Sequence, residues 1–125
     1  MDLAPEFVGA EFPAWSPDGK TIAFAGSYMG NLRIYAVPAE GGAVRPITDG
    51  THLSTHAVWR RDGALAFNCN CGYGMQIMLL EPGGEARALT NSLPHNLYPS
   101  FSKDGRRIVF SSDRDGNNEL YQIYN

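Results

Sequence analysis

Trp15-Ser16-Pro17-Asp18-Gly19, Trp59-Arg60-Arg61-Asp62-Gly63 and Phe101-Ser102-Lys103-Asp104-Gly105 are three copies of one motif, an aromatic residue three places before an Asp-Gly pair. The aromatic residues stand 44 and then 42 positions apart. A period of this size is typical of a four-stranded propeller blade and is far longer than a coiled-coil heptad. The repetition therefore predicts an all-β chain built as a β-propeller, with three four-stranded antiparallel blades.

The same order of strand and turn signals follows each copy of the motif. The Asp-Gly turns lead into three apolar triplets, Ile22-Ala23-Phe24, Leu65-Ala66-Phe67 and Ile108-Val109-Phe110. A glycine then opens the next strand twelve places after each Asp, at Gly30, Gly74 and Gly116. Short apolar runs bounded by such turn residues are typical of β-strands. We place the three units at residues 5–48, 49–90 and 91–125 of a single half-propeller domain.

Composition excludes several classes of function. The chain has 125 residues, of which 43% are hydrophobic, so it can bury the core of one domain. Its formal net charge of −3 and its scattered Lys and Arg residues argue against a nucleic-acid partner. No apolar run approaches the roughly 20 residues of a membrane span, so we expect no membrane insertion. The first residues do not resemble a signal peptide, which as written favours the cytoplasm.

Two stretches carry a family resemblance that covers nearly the whole chain. Residues Trp15 to Phe24 and Phe101 to Asn117 are similar to repeats of the TolB-type β-propeller family. The resemblance implies six blades and a non-enzymatic scaffold that works through partner proteins. It also implies a periplasmic or extracellular location if the chain is a fragment of a secreted precursor. The middle repeat departs from the pattern, because Arg60-Arg61 replaces Ser-Pro there.

The ends of the chain suggest how three blades could complete a ring of six. Counting back by one repeat places Met1 to Ala4 in the position of an outer strand, and the third unit stops after its third strand. We therefore expect a homodimer in which the first residues of each copy complete the last blade of the other. The residues expected at this closure are Asp2, Leu3, Ala4, Leu120, Tyr121 and Ile123. The alternative is that the missing strand belongs to a longer protein.

Candidate binding residues concentrate in the loops of one predicted face. All three histidines are predicted to lie in the crossings between units, and propellers commonly bind ligands at such a loop face or channel mouth. The candidates for contact with a protein or peptide are Tyr28, His52, His56, Tyr73, His95, Asp113 and Arg114. Their spacing matches no metal-binding or catalytic motif, so we expect no metal, no cofactor and no catalytic residue.

The remaining conspicuous residues are interpreted as parts of the scaffold. Cys69 and Cys71 share one face of an extended strand in poor geometry for a mutual disulfide, so we expect them to pack as small apolar residues. Trp15, Trp59 and Phe101 are expected to pack between neighbouring blades. The repeated aspartates of the motif are expected to accept backbone hydrogen bonds within their turns.

Three functions from different classes remain open. The first is a non-enzymatic scaffold that binds a protein or peptide at the loop face or channel mouth. The second is an enzyme, either a metal-dependent lyase using the loop histidines or a propeller associated with a hydrolase. The third is a purely structural assembly unit. The sequence favours the first, and it predicts that the chain is not an enzyme.

Overall fold

The computed structural model describes residues 1–7, 9–28, 30–71, 74–91 and 95–124. Eleven strands are described in chain order: β1 Ala10–Trp15, β2 Thr21–Tyr28, β3 Asn31–Pro38, β4 Arg45–Pro46, β5 Ser54–Trp59, β6 Leu65–Cys69, β7 Gln76–Leu80, β8 Ala86–Ala88, β9 Asn96–Phe101, β10 Arg107–Ser112 and β11 Glu119–Tyr124. They form three antiparallel sheets, β1–β4, β5–β8 and β9–β11, here called blades 1, 2 and 3. The predicted all-β class is confirmed. No helix able to span a membrane occurs among these residues.

The motif turns follow one hydrogen-bond pattern in blades 1 and 3. Asp18 Oδ1 accepts the Ser16 hydroxyl at 2.6 Å and the Lys20 N–H at 3.0 Å. Asp104 makes the same two bonds with Ser102 and Arg106, at 2.7 and 3.0 Å. In each turn the following glycine has a positive φ, which favours glycine because it has no Cβ. The predicted scaffold role of these aspartates is confirmed.

The middle turn replaces the serine hydroxyl with a guanidinium. Arg60 donates from Nε and Nη2 to the two carboxylate oxygens of Asp62, each at 2.7 Å. Arg60 Nη2 also donates to Glu81 at 2.5 Å, which ties the turn to the β7–β8 connection. The Arg60 guanidinium lowers the pKa of Asp62 to about 2. A charge-assisted fork therefore does in blade 2 what a serine does in the other blades.

The innermost strand of every blade contains a bulge at one repeat position. Phe12, His56 and Tyr98 have φ values of 54°, 55° and 58°. The pairing register shifts at the same places in β1, β5 and β9. A left-handed backbone is uncommon for residues other than glycine, and bulges re-aim side chains. His56 therefore lies within β5, and its predicted place in a loop between units is wrong.

Blades pack by setting a phenylalanine of one sheet against small and aliphatic residues of the preceding sheet. Phe67 of blade 2 packs with Ala23, Ala25 and Ile34 of blade 1. Phe110 of blade 3 occupies the same repeat position and is 1% exposed. Trp59 joins the first interface and donates its indole N–H to the Ala14 carbonyl at 3.0 Å. The predicted packing of Trp59 between blades is confirmed.

The upstream face of blade 1 is covered by the first residues of the chain. Phe24, Tyr35 and Val37 are buried there, and Leu3, Ala4 and Phe7 pack against them. The Phe7 ring lies edge-on to Phe24 and Tyr35, with centroids 5.4 and 4.6 Å apart. In the single chain, Met1–Ala4 does not form the expected outer strand: Leu3 and Ala4 pack, partly buried, on this face, and Met1 is exposed. The exchange of Met1–Ala4 between two copies stays a prediction.

The downstream face of blade 3 is open. Leu120 is 78% exposed, whereas Ile34 and Ile77, which hold the same repeat position in β3 and β7, are 0% exposed. Tyr121 and Ile123 point the other way and pack toward blade 2. Tyr121 and Ile123 are predicted closure residues, but only their backbone, at the edge of β11, is available to a partner, because their side chains face blade 2. Trp15 is 62% exposed, so its predicted packing between blades is wrong for the chain as described, in which the described residues place no second blade against this side of β1.

The two cysteines do not behave as predicted. Cys69 and Cys71 form a disulfide, and their Cα atoms are 5.2 Å apart. This distance lies within the usual range for a disulfide. The prediction of two separate thiols assumed that both residues lie in an extended strand. That assumption is wrong because β6 ends at Cys69, and the chain turns out of the sheet before Cys71.

Candidate functional site

Three rings, one from each blade, form a row along the inner strands. The Phe12 and His56 rings stack with centroids 3.8 Å apart and planes inclined by 28°. The His56 and Tyr98 rings meet edge to face at 4.7 Å. We call Phe12, His56 and Tyr98 the inner ring row. Because the inner strands of propeller blades surround the central channel, this row lies where a channel wall is expected.

The bulges position the row, and neighbouring polar groups hold it. The imidazole Nδ1 of His56 is 3.0 Å from the Thr55 hydroxyl oxygen. The Tyr98 N–H, displaced from the regular ladder by its bulge, donates to Asn68 Oδ1 of blade 2 at 3.0 Å. Asn68 is almost fully buried, so this bond fixes β9 against blade 2. The rings are therefore held by backbone geometry and by bonds between blades.

The row presents ring surface and little positive charge. Phe12 is 38% exposed and Tyr98 is 55% exposed, while His56 between them is partly buried. Burial lowers the pKa of His56, and the nearby carboxylate of Glu11 opposes this shift without reversing it. The imidazole is therefore mainly neutral at pH 7. Such a surface can bind apolar groups, or cations through ring faces.

His95, Asp113 and Arg114 lie together beside the start of β9, where His95 bonds to blade 2 and the other two bond within blade 3. The Met75 N–H donates to His95 Nδ1 at 3.1 Å, and the His95 N–H donates to Asp113 Oδ1 at 2.9 Å. Arg114 Nη2 donates to Asn96 Oδ1 at 3.1 Å. These bonds use much of the polar capacity of the three residues. The structure thus gives His95 a positioning role between blades 2 and 3, and gives Asp113 and Arg114 positioning roles within blade 3.

The Arg114 guanidinium also covers two rings of its own blade. It lies 4.2 Å from the Tyr121 ring centroid and 5.6 Å from that of Phe110. The Tyr121 hydroxyl donates to Asp115, and this hydrogen bond raises the pKa of Tyr121 to about 12. Cation–π contacts of this kind stabilise a local arrangement by roughly 1 kcal/mol. They further indicate that Arg114 serves the blade.

His52 lies apart from the other two histidines. It is exposed in the loop between β4 and β5 and lines a groove of about 350 Å³ beside the Cys69–Cys71 disulfide. In the part of the chain that the structure describes, no group of three or more His, Cys, Asp or Glu residues could hold a metal. Tyr28 ends β2, where its backbone pairs with Asn31. Its side chain and the whole of Tyr73 lie outside what the structure describes.

Sequence reasoning found one member of the inner ring row and missed two. The sequence predicts a binding role for His56, but predicts for Phe12 and Tyr98 only a place in the inner strands. A signal for all three is present, because each stands three places before the motif aromatic at Trp15, Trp59 or Phe101. The left-handed backbone that turns these rings toward one another carries no such signal in residues other than glycine.

Repeated antiparallel blades packed face to face, with a bulged inner strand in each, define a segment of a β-propeller. Similarity to known proteins indicates which type of propeller this is. TolB of the Tol-Pal system from Bordetella pertussis is 32% identical over 113 residues, which cover 88% of this chain and 26% of that protein. A crystal structure of TolB from Acinetobacter baumannii is 28% identical with a TM-score of 0.82, over 94% of this chain and 30% of that one. The repeats of this chain are therefore similar to TolB-type β-propeller repeats.

Other relatives carry different names. The uncharacterized peptidase YuxL of Bacillus subtilis is 24% identical, over 81% of this chain and 21% of that protein. No family model matches the chain. The chain spans about a quarter of the length of the curated relatives it matches.

Proposed function

We propose that this chain is a non-enzymatic propeller module that binds a protein or peptide at the channel wall formed by its inner strands. The observation that carries the proposal is the inner ring row, because one exposed or partly exposed ring from each blade joins into a single surface. Aromatic side chains are enriched where proteins bind one another, since they offer large contact areas with few rotatable bonds. The relatives named TolB support this reading over an enzymatic one.

The proposal shifts the site from the loops to the inner strands. Of the predicted residues, His56 remains central, and Phe12 and Tyr98 replace the loop residues as the main contacts. His95 joins blades 2 and 3, and Arg114 bonds to Asn96 within blade 3, so both act in the scaffold and not as contacts. His52, in its separate groove, has no part in this site.

A peptide library displayed on phage tests the proposal. Clones are selected on the wild-type chain and then compared with the double variant Phe12→Ala/Tyr98→Ala. We expect the selected clones to bind the wild type with about tenfold higher affinity than the double variant. The two exposed rings together should contribute over 1 kcal/mol to the binding free energy. A matched control is Trp15→Ala, which removes an exposed ring that lies outside the inner ring row. Clones that bind wild type and double variant equally well would contradict the proposal.

A propeller attached to a hydrolase is the second candidate, and the similarity to the named peptidase favours it. In that case the module would guide peptide chains toward a catalytic domain elsewhere. The two candidates differ in what a bound peptide experiences. An intact peptide is incubated with the natural protein in which this module occurs. The peptide stays uncleaved if the module only binds, and it is cleaved if the module serves a hydrolase.

We also propose that the open downstream face is closed by a second copy of this chain to give a six-bladed ring. The exposed Leu120 and the free edge of β11 support this proposal, since such an edge attracts another strand. Light scattering should give twice the 13.7 kDa of one chain. Deleting residues 1–4 should weaken the dimer if these residues are exchanged. If the dimer stays intact after the deletion, residues 1–4 are not exchanged, and the two copies associate only by packing their downstream faces.

The Cys69–Cys71 disulfide supports placing the chain in an oxidising compartment, such as the periplasm or the extracellular space. Alkylation of the isolated protein, with and without reductant, measures the bond. We expect labelling only after reduction. Two thiols that label without reductant in protein purified from its natural source would contradict the placement.

A further inference from the structure

The inner ring row is flanked by the carboxylate of Glu11, which makes no hydrogen bond or ion pair with the described part of the chain. Glu11 is exposed, directly precedes Phe12 in β1, and lies near enough to His56 to act on its ring electrostatically. The corresponding positions of β5 and β9 hold Thr55 and Leu97, which carry no charge. One end of the row therefore combines an exposed ring with a negative charge.

The polarity of the row favours one class of binding group. The faces of Phe12 and Tyr98 carry the negative part of the ring quadrupole, and His56 contributes no full positive charge while it is neutral. The Arg114 guanidinium is already placed over the Tyr121 ring and bonded to Asn96, so it does not neutralise the row. The local field therefore attracts a cation.

We propose that the inner ring row and Glu11 form a binding site for a basic side chain, arginine in particular, presented by an extended peptide. The proposal rests on the proposed function and names the residue class that the site selects. A guanidinium is planar and weakly hydrated, so it stacks on rings and pairs with a carboxylate at the same time. Lysine offers the charge without the flat face and should bind less tightly.

The experiment uses two peptides that differ only in charge at one side chain. The first is acetyl-Gly-Ser-Arg-Ser-Gly-amide, and the second carries citrulline in place of arginine. Each is titrated into protein with ¹³C-labelled aromatic rings, and the ring signals of His56 and Tyr98 are followed by NMR. We expect the arginine peptide to bind about fivefold more tightly than the citrulline peptide. Equal affinities, or shifts from neither peptide, would overturn the proposal.

Variants separate the charge from the rings. Glu11→Gln should lower arginine-peptide affinity by about threefold and leave citrulline-peptide affinity unchanged, because only an ion pair is lost. Tyr98→Leu should weaken the arginine peptide, whereas Tyr98→Phe should retain wild-type affinity because the ring remains. Both positions are exposed, so these variants should unfold at the same denaturant concentration as the wild type. A Glu11→Gln variant with unaltered arginine-peptide affinity would contradict the site as described.

The outcomes keep this proposal distinct from the proposed function. Phage clones that depend on Phe12 and Tyr98 but carry no excess of arginine or lysine would refute the preference for a basic side chain and leave peptide binding intact. Failure to recover any clone that depends on the row would refute the proposed function. The peptide titration then reports independently on whether the rings bind a guanidinium.

Discussion

The two ends of the stack of blades each have an apolar sheet face, and the two faces differ in how much of them is buried. Upstream, Phe24 occupies the repeat position at which Phe67 and Phe110 are buried by a neighbouring blade, and Leu3, Ala4 and Phe7 bury it. Downstream, Leu120 is left 78% exposed. A short irregular segment can therefore replace a blade on an apolar face, whereas no described segment covers the downstream face. The two ends therefore differ in how much stability each apolar side chain should contribute.

The largest expected effect tests whether the upstream cover is equivalent to a blade. Phe24→Ala should lower the free energy of unfolding by about 3 kcal/mol, close to the loss for Phe110→Ala at a true blade interface. Both side chains are almost fully buried, at 4% and 1% exposure. Urea unfolding followed by fluorescence measures both variants. A loss below about 1 kcal/mol for Phe24→Ala alone would break the equivalence.

The second prediction concerns the close approach of the cover to β2. An alanine Cβ at Gly26 would lie 2.8 Å from Cδ1 of Phe7, so Gly26→Ala should cost about 2 kcal/mol by displacing the ring. In the background of Phe7→Ala the same change should cost much less, because the clash is gone. Unfolding free energies of the two single variants and the double variant complete the cycle. Additive losses would show that Phe7 does not lie over Gly26 in solution.

The third prediction addresses the open end. Leu120→Ala should change the free energy of unfolding of the monomer by less than about 0.5 kcal/mol, because the side chain is mostly in water already. Ile77→Ala, at the same repeat position but fully buried, should cost about 3 kcal/mol. Measurements at low protein concentration give the monomer value. A large loss for Leu120→Ala that grows with protein concentration would indicate that another copy covers this face.

The smallest effect compares the motif turns of the two end blades. Hydrogen bonds from Ser16 and the Lys20 N–H lower the pKa of Asp18 below its ordinary 3.8, and bonds from the Arg106 N–H and Ser102 do the same for Asp104. A carboxylate with a lowered folded pKa stabilises the fold above its unfolded pKa, and this contribution is lost as the pH falls through the folded pKa.

NMR titration of the carboxyl carbons between pH 5 and 2 should find both aspartates titrating below 3.8. An ordinary value for Asp104 with a lowered value for Asp18 would show that the open blade frays at its turn, and would sharpen the contrast between the ends.

Much of the fold was predictable because it depends on local, repeated chemistry. Each unit repeats an Asp-Gly turn, an apolar triplet and a glycine twelve places after the Asp. Each of these signals shapes only the few residues around it. Even the altered middle turn keeps its shape, since Arg60 replaces a hydroxyl with a fork of two hydrogen bonds. What repeated signals predict in one unit, the other units corroborate.

The site and the cysteines were less predictable, for physical reasons. The sequence predicts a loop at His56 because a left-handed residue inside a strand has no signature unless it is glycine. The sequence predicts two separate thiols at Cys69 and Cys71 because an extended strand would hold them in poor geometry for a bond, and β6 ends at Cys69. His95 is held by a bond from Met75 of blade 2, and Arg114 is held by a bond to Asn96 of β9. These partners lie 18 to 20 positions away in the sequence, and no local sequence pattern links them.

The sequence by itself determined that this chain is a run of three propeller units with hydrogen-bonded Asp-Gly turns, since those features arise from neighbouring residues. Only the tertiary structure decided that Phe12, His56 and Tyr98 form one surface, because residues more than 40 positions apart meet only after the sheets stack. It also decided that Phe7 covers Phe24, since burial of an apolar face depends on which segment can reach it.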